Sequence, residues 1–207
     1  LYIADADFVP VPIKALLDKS YLSERAKLIN LSSSISSPAM AGIPPQLSES
    51  SYISDASHGR PGTSHISIID KQGNAVSMTT TIEGAFGSQI MVRGFLLNSE
   101  LTDFSFIPDI GGKLVANRVQ PGKRPRSSMA PTMVFDHEGN LILIIGSPGG
   151  SRIISYVAQT LIAVLDWGLD IQTAINLGHV VNRNSNTEIV FGGGLEQTLA
   201  NTADLYV

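Results

Sequence analysis

An α+β fold is the expectation from three features of this 207-residue sequence. Two stretches read as strand–turn–strand units, one at 65–69 with 75–82 and the other at 132–135 with 141–145. After Gly146-Ser147-Pro148-Gly149-Gly150-Ser151 the apolar spacing changes to three and four, which is the period of a helix. Strands followed by helices, rather than alternating with them, predict an α+β layered domain.

Each element has its own local cause. Ile13, Leu16, Leu17, Tyr21, Leu22 and Leu28 recur at helical spacing behind leading prolines, so an amphipathic helix is expected over 10–28. Residues 30–62 are serine-rich and hold Pro38, Pro44, Pro45 and Pro61, which forbid regular helix; a mobile linker is expected there. Thr63 begins the first strand, and Asp70-Lys71-Gln72-Gly73-Asn74 supplies the turn. The second strand carries Thr79, Thr80 and Thr81, with Thr79 and Thr81 on one face, and antiparallel pairing would bring Thr81 opposite the neighbourhood of Thr63. Phe95-Leu96-Leu97 reads as a further short strand. The second hairpin turns at Asp136-His137-Glu138-Gly139-Asn140, and the apolar run 141–145 predicts a strand buried on both faces beneath other layers. Ile153, Ile154, Val157, Leu161, Val164 and Leu165 form a helical stripe that ends at Gly168; Asp170 then caps a second helix through Ile171, Ala174, Ile175 and Leu177. The tail offers a strand at 188–191, a Gly192-Gly193-Gly194 break and a short helix from Leu195.

Composition narrows the function classes. A net charge of -4 gives no general attraction to nucleic acid or anionic lipid, so neither is expected as a partner. With no cysteine, a disulfide framework and a thiolate metal site are both excluded. His58, His65, His137 and His179 have no paired metal spacing, so no metal or other cofactor is expected. No apolar run reaches the length of a membrane span, and the N-terminus lacks an initiator Met and a signal pattern, which reads as a piece of a longer precursor.

The reactive candidate is Thr63. A threonine hydroxyl needs a base beside it, and an N-terminal threonine carries one in its own amine, whose reference pKa of roughly 7.7–8.0 leaves free base at neutral pH. Cleavage between Gly62 and Thr63 would create that amine. Glu83, Glu100 and Asp103 form an acidic set suited to an ammonium group, although each taken singly reads as a solvated loop acid. Ser127 and Ser128, held between Pro125 and Pro131, offer hydroxyl donors for a carboxylate; the plainer reading is a proline-bounded turn. Gly149 and Gly150 expose consecutive N–H groups before a helix, which suits an oxyanion. Phosphate binding is the runner-up there, without the spacing or the lysine of a P-loop. His65 shares the face of Thr63 and reads as a hydrogen-bonded structural histidine.

Four segments together resemble the γ-glutamyltranspeptidase family: Thr63-Ser64-His65-Ile66-Ser67, Glu100 to Phe104, Lys123 to Thr132 with its Ser127-Ser128-Met129 centre, and Gly146 to Arg152. Their order and spacing also match, over about residues 7–193. The resemblance implies an N-terminal nucleophile hydrolase, an αββα four-layer sandwich present here as a fragment. It implies a precursor that cleaves itself, with 1–62 the end of the large subunit and 63–207 most of the small one, truncated at its C-terminus. By the same resemblance Thr63 is the nucleophile, Thr81 supports it, and Gly149 and Gly150 form the oxyanion hole. Glu83, Glu100 and Asp103 would hold the substrate α-ammonium, and Ser127 and Ser128 its α-carboxylate. The implied activity is hydrolysis or transfer of the γ-glutamyl group of glutathione and related γ-glutamyl compounds, to water, an amino acid or a peptide. The remainder of the large subunit is the implied protein partner, no cofactor is involved, and the setting is periplasmic or extracellular. The alternatives are a related acylase acting on cephalosporin side chains or poly-γ-glutamate, and an unprocessed, inactive domain.

Overall fold

The computed structural model of the chain describes residues 1–30, 32–33, 38–47, 52–54, 62–184 and 187–190. In chain order the elements begin with α1 (Ile13–Leu16), α2 (Lys19–Ala26), β1 (Thr63–Ile69), β2 (Ala75–Thr81), β3 (Met91–Val92), β4 (Phe95–Leu96), β5 (Asp109–Ile110) and β6 (Lys113–Leu114). They continue with β7 (Thr132–Phe135), β8 (Leu141–Ile145), α3 (Ile153–Leu165), α4 (Ile171–Asn176), β9 (His179–Asn182) and β10 (Thr187–Val190). Short 3-10 turns intervene at Glu100–Asp103 and Gly150–Arg152. Each consecutive pair of strands forms an antiparallel hairpin, so the chain is α+β as expected. Two compact units divide it: Leu1–Gly59 with Ser99–Ser127, and Arg60–Asn98 with Ser128–Val207.

In the first unit the single helix expected over 10–28 is two short ones. Asp18 is the cause. Its backbone is extended and its carboxylate accepts the Tyr21 N–H at 2.8 Å, so it starts a new helix instead of continuing the old one. The apolar stripe does not go inside either: Ile13, Leu17, Leu22 and Leu28 are all exposed. Part of the expected linker is held in place. Gly42 accepts from the Tyr2 hydroxyl at 3.0 Å, Met40 accepts from Arg25 at 2.8 Å, and Ile53 bridges Val115 in parallel. Residues 31, 34–37, 48–51 and 55–61 of that stretch lie outside the described residues. The unit closes over Val9, Phe104, Val115 and Ala116, with Asp5, Asn117 and Lys123 as buried polar members.

In the second unit β1 pairs with β2 in a continuous register from Thr63↔Thr81 to Ile69↔Ala75. The β7–β8 pair carries a register shift at Val134/Phe135. The two hairpins meet where the Ser77 hydroxyl reaches the carbonyls of Thr132 and Ile145, each at 3.4 Å. Strand β8 is not buried on both faces as its composition suggested. Leu143 and Ile145 pack with Ile153 and Val157 of α3, while Ile142, on the opposite face by the two-residue period, is 54% exposed. Burying Ile153 and Val157 contributes roughly 1.5–3 kcal/mol each, enough to seat α3 on the hairpin. The buried face of α3 runs through Ile153, Tyr156, Val157, Thr160 and Ala163, rotated from the expected stripe, with Ile154 and Leu165 exposed. Thr160 is tolerated inside because its hydroxyl bonds back to the Tyr156 carbonyl at 3.1 Å. Asp170 caps α4 through the Thr173 N–H, as expected. The expected strand at 188–191 is β10, and its partner β9 was not foreseen; the glycine break at 192–194 and the helix from Leu195 lie outside the described residues.

Candidate active site

Thr63 enters β1 directly across from Thr81. The Thr81 hydroxyl donates to the Gly62 carbonyl at 3.3 Å and accepts from the Glu83 N–H at 2.9 Å. One hydroxyl therefore polarises the carbonyl of the Gly62–Thr63 peptide while a backbone donor fixes its orientation. Glu83 is no solvated loop acid. It is 3% exposed and left-handed at φ 70, a conformation that costs a non-glycine residue of order 1–3 kcal/mol and persists only where its surroundings impose it. Its carbonyl lies so close to Gly62 that a Cβ there would overlap it.

The same face continues along the hairpin as a polar column, with His65 across from Thr79 and Ser67 across from Ser77. His65 Nδ1 contacts the Thr79 hydroxyl at 2.8 Å and Nε2 the Ser67 hydroxyl at 3.1 Å. Burial pushes the imidazole below its usual pKa, which favours the neutral ring. Gly146 backs against this ring, leaving no room for a side chain. The outer face is apolar instead: Ile66, Ile68, Val76 and Met78 are exposed.

Elsewhere in this unit, Gly149 and Gly150 precede α3 with φ of 133° and 57°, both in the region that favours glycine. Their N–H groups come before the first intrahelical bonds of α3, the position from which donors serve an anion. Behind Gly149 lies the Tyr156 ring, stacked on His179 at 4.3 Å between centroids and 14° between planes. Burial raises the tyrosine pKa and lowers that of the histidine. Glu188 on β10 bonds to both Arg183 and Arg152, which hold its carboxyl below the usual range, and Arg183 also donates to the Ser151 hydroxyl at 2.7 Å. The residues after the glycine pair are thereby tied to the β9–β10 hairpin.

Glu100 and Asp103 belong to the first unit, on the 3-10 turn Glu100–Asp103, as does Ser127; Ser128 begins the last stretch of the second. Asn117, which the sequence reading passed over, donates from Nδ2 to the Asp103 carbonyl at 2.7 Å and accepts from the Arg126 N–H at 2.9 Å through Oδ1. The signal for it was an amide directly after the apolar pair Val115-Ala116. Upstream of Ser127, Arg124 grips Asp5 through its backbone N–H, Nε and Nη2 at 2.8–3.0 Å, and this holds the Asp5 carboxyl far below its usual pKa. Thus Thr63, Thr81 and Glu83 are brought together, Gly149, Gly150 and Ser128 share their unit, and Glu100, Asp103 and Ser127 are arranged in the other. Among the described residues no group of three or more acidic or imidazole side chains is placed to hold a metal ion, and no helix is long and apolar enough to cross a membrane.

The γ-glutamyltranspeptidase family profile matches residues 1–202. A glutathione hydrolase proenzyme of Bacillus subtilis is 44% identical over 183 residues, which cover 84% of this chain and 30% of that protein. The proenzyme of the same name from Escherichia coli is 39% identical over 184 residues, with the same coverage. The chain thus spans about a third of the length of these relatives. Among solved structures, a mutant γ-glutamyltranspeptidase of Helicobacter pylori is similar at a TM-score of 0.54 and 36% identity, covering 66% of this chain and 80% of that one. The Pseudomonas nitroreducens γ-glutamyltranspeptidase complexed with L-DON is similar at 0.53 and 36%, covering 67% and 79%. A profile that takes in nearly every residue and relatives from several bacteria lead to one assignment: the chain belongs to the γ-glutamyltranspeptidase family.

Proposed function

We propose that this chain carries the nucleophile of a γ-glutamyl hydrolase and transferase that acts on glutathione and related γ-glutamyl amides, after self-cleavage at Gly62–Thr63. The observation that carries the reading is the pairing of Thr63 with Thr81, whose hydroxyl rests on the Gly62 carbonyl. In self-cleavage, the Thr63 hydroxyl attacks the Gly62 carbonyl carbon while Thr81 supports the developing negative oxygen. The hydroxyl proton passes to the Thr63 nitrogen, an ester forms as the peptide C–N bond breaks, and water hydrolyses that ester to a Gly62 carboxylate, leaving Thr63 with its hydroxyl and a free amine.

The freed amine then serves as base in turnover. Thr63 Oγ attacks the γ-carbonyl and passes its proton to the amine. The oxyanion is received by the Gly149 and Gly150 N–H groups, and the departing amine takes the proton from the Thr63 ammonium as the acyl-enzyme forms. Water or an acceptor amine reverses these steps and releases glutamate or a new γ-glutamyl compound. Glu83, Glu100 and Asp103 hold the α-ammonium, and Ser127 and Ser128 the α-carboxylate. The relatives' names, glutathione hydrolase proenzymes, support this substrate over a cephalosporin side chain or poly-γ-glutamate and support processing over an inert scaffold. An αββα sandwich accords with the apolar outer face of β1–β2, which needs a covering layer.

The test is made on the full-length protein. Mass spectrometry should find two chains, the second beginning at Thr63, and Thr63→Ala should leave one chain and lower turnover of a γ-glutamyl anilide at least about a thousandfold. An uncleaved chain with full activity would overturn the reading.

A further inference from the structure

We propose that Asn117 is a positioning residue for the γ-glutamyl headgroup: its amide bridges Asp103 to Arg126 and so sets the spacing between the ammonium-binding turn Glu100–Asp103 and the carboxylate-binding Ser127. The roles of those three residues rest on the functional reading above, whereas the bridge itself is geometric. Asn117 is 1% exposed, and both ends of its amide are used, Nδ2 on the Asp103 carbonyl at 2.7 Å and Oδ1 on the Arg126 N–H at 2.9 Å. A short side chain that donates at one corner and accepts at the other is asparagine's particular capacity; aspartate only accepts, and leucine does neither.

The bridge is itself anchored. The Asn117 carbonyl accepts from Ser105 N–H at 2.9 Å, so the chain on the far side of Asp103 is also tied to it. Buried Lys123 reaches the carbonyls on either side of Asn117, Ala116 at 2.6 Å and Arg118 at 3.1 Å, and a third acceptor, Gln120 Oε1, at 3.0 Å. Arg124 is locked to Asp5. Residues 123–126 are thus fixed by backbone or side chain at Lys123, Arg124 and Arg126, directly before Ser127. A rigid frame of this kind transmits a change at Asn117 to the two flanking loops rather than absorbing it. The headgroup of a γ-glutamyl substrate presents its ammonium and carboxylate on one carbon, so its two receptors must keep a constant separation.

The variants are Asn117→Asp, which keeps the acceptor for Arg126 and loses the donor to Asp103, and Asn117→Ala, which loses both. Each is made in the full-length protein and assayed with γ-glutamyl-p-nitroanilide and with glutaryl-p-nitroanilide, which lacks the ammonium. For Asn117→Asp the expected result is a loss of about tenfold in preference for the γ-glutamyl substrate, through KM, with kcat changed by less than about threefold and the melting temperature held. Asn117→Ala should raise KM further. Unchanged preference in both variants, or a lower kcat and higher KM alike on both substrates alongside a lower melting temperature, overturns the bridge. A wild type that releases nothing from the γ-glutamyl anilide overturns the functional reading and this inference with it, and is distinct from an active wild type whose preference the variants do not alter.

Discussion

The β1–β2 and β7–β8 hairpins are closed by the same device and put to different uses. In Asp70–Asn74 and in Asp136–Asn140, the aspartate Oδ1 accepts from the N–H groups two and four residues on, and Oδ2 accepts from the asparagine amide. Each loop also has a glycine at its fourth position, with φ of 85° and 87°. Beyond the loops the hairpins diverge. The β7–β8 pair turns Leu143 and Ile145 toward α3 and builds core. The β1–β2 pair turns Thr63, His65, Ser77, Thr79 and Thr81 to its more covered face and leaves its isoleucines outside. Loop chemistry therefore specifies that a hairpin forms and in which register; what it does is decided by which side chains fall on the covered face.

The largest expected difference comes from hydroxyls at matched places. Thr81→Val removes the donor to the Gly62 carbonyl and the acceptor for Glu83, and should slow processing of the full-length protein by about 100- to 1000-fold, as loss of an oxyanion donor does, and lower turnover with it because unprocessed chain has no free Thr63 amine. Thr132→Val, on the other hairpin, loses a bond to the Ala130 carbonyl and should leave turnover within about twofold. Equal effects in a processing time course would erase the distinction. Next is the seam between them: Gly146→Ala drives a methyl group into the His65 ring and should cost roughly 1–3 kcal/mol in urea unfolding, the usual cost of overpacking.

The smallest effect sharpens the likeness. Hydrogen bonds from Asn74 and Asn140 lower the pKa of Asp70 and Asp136, so each aspartate's stabilisation is complete above the unfolded carboxyl value and fades as pH falls through the folded one. Asp70→Ala and Asp136→Ala should each flatten the loss of stability below about pH 4, by matching small amounts in acid titrations.

Much of this was legible because it is local. The hairpins follow from alternation and an Asp-x-x-Gly-Asn turn, and once the turn is placed at 70–74 the pairing of Thr63 with Thr81 follows by counting. Residues that depend on distant partners were less legible. Asp18 looks like a polar residue of an amphipathic helix until its carboxylate is seen capping Tyr21. Glu83 looks like a solvated loop acid, but the approach of Gly62 and the bond to Thr81 bury it. Asn117 works across 14 residues in one direction and 9 in the other, and its only local mark is an amide after the apolar pair Val115-Ala116, which does not say what it bridges. The Glu188 pair is a meeting of β10 with the residue before α3, which composition alone does not join.

The Asp70 loop stands at the opposite end of its hairpin from Thr63, roughly 20 Å away at about 3.3 Å per residue. A strand has only two faces, so a slip of one residue at that loop would turn Thr63 and His65 outward and Ile66 inward along the whole length. The loop is thus the calibration point of a ruler whose working mark is the Thr63–Thr81 pair, and its aspartate keeps that mark in place without touching it.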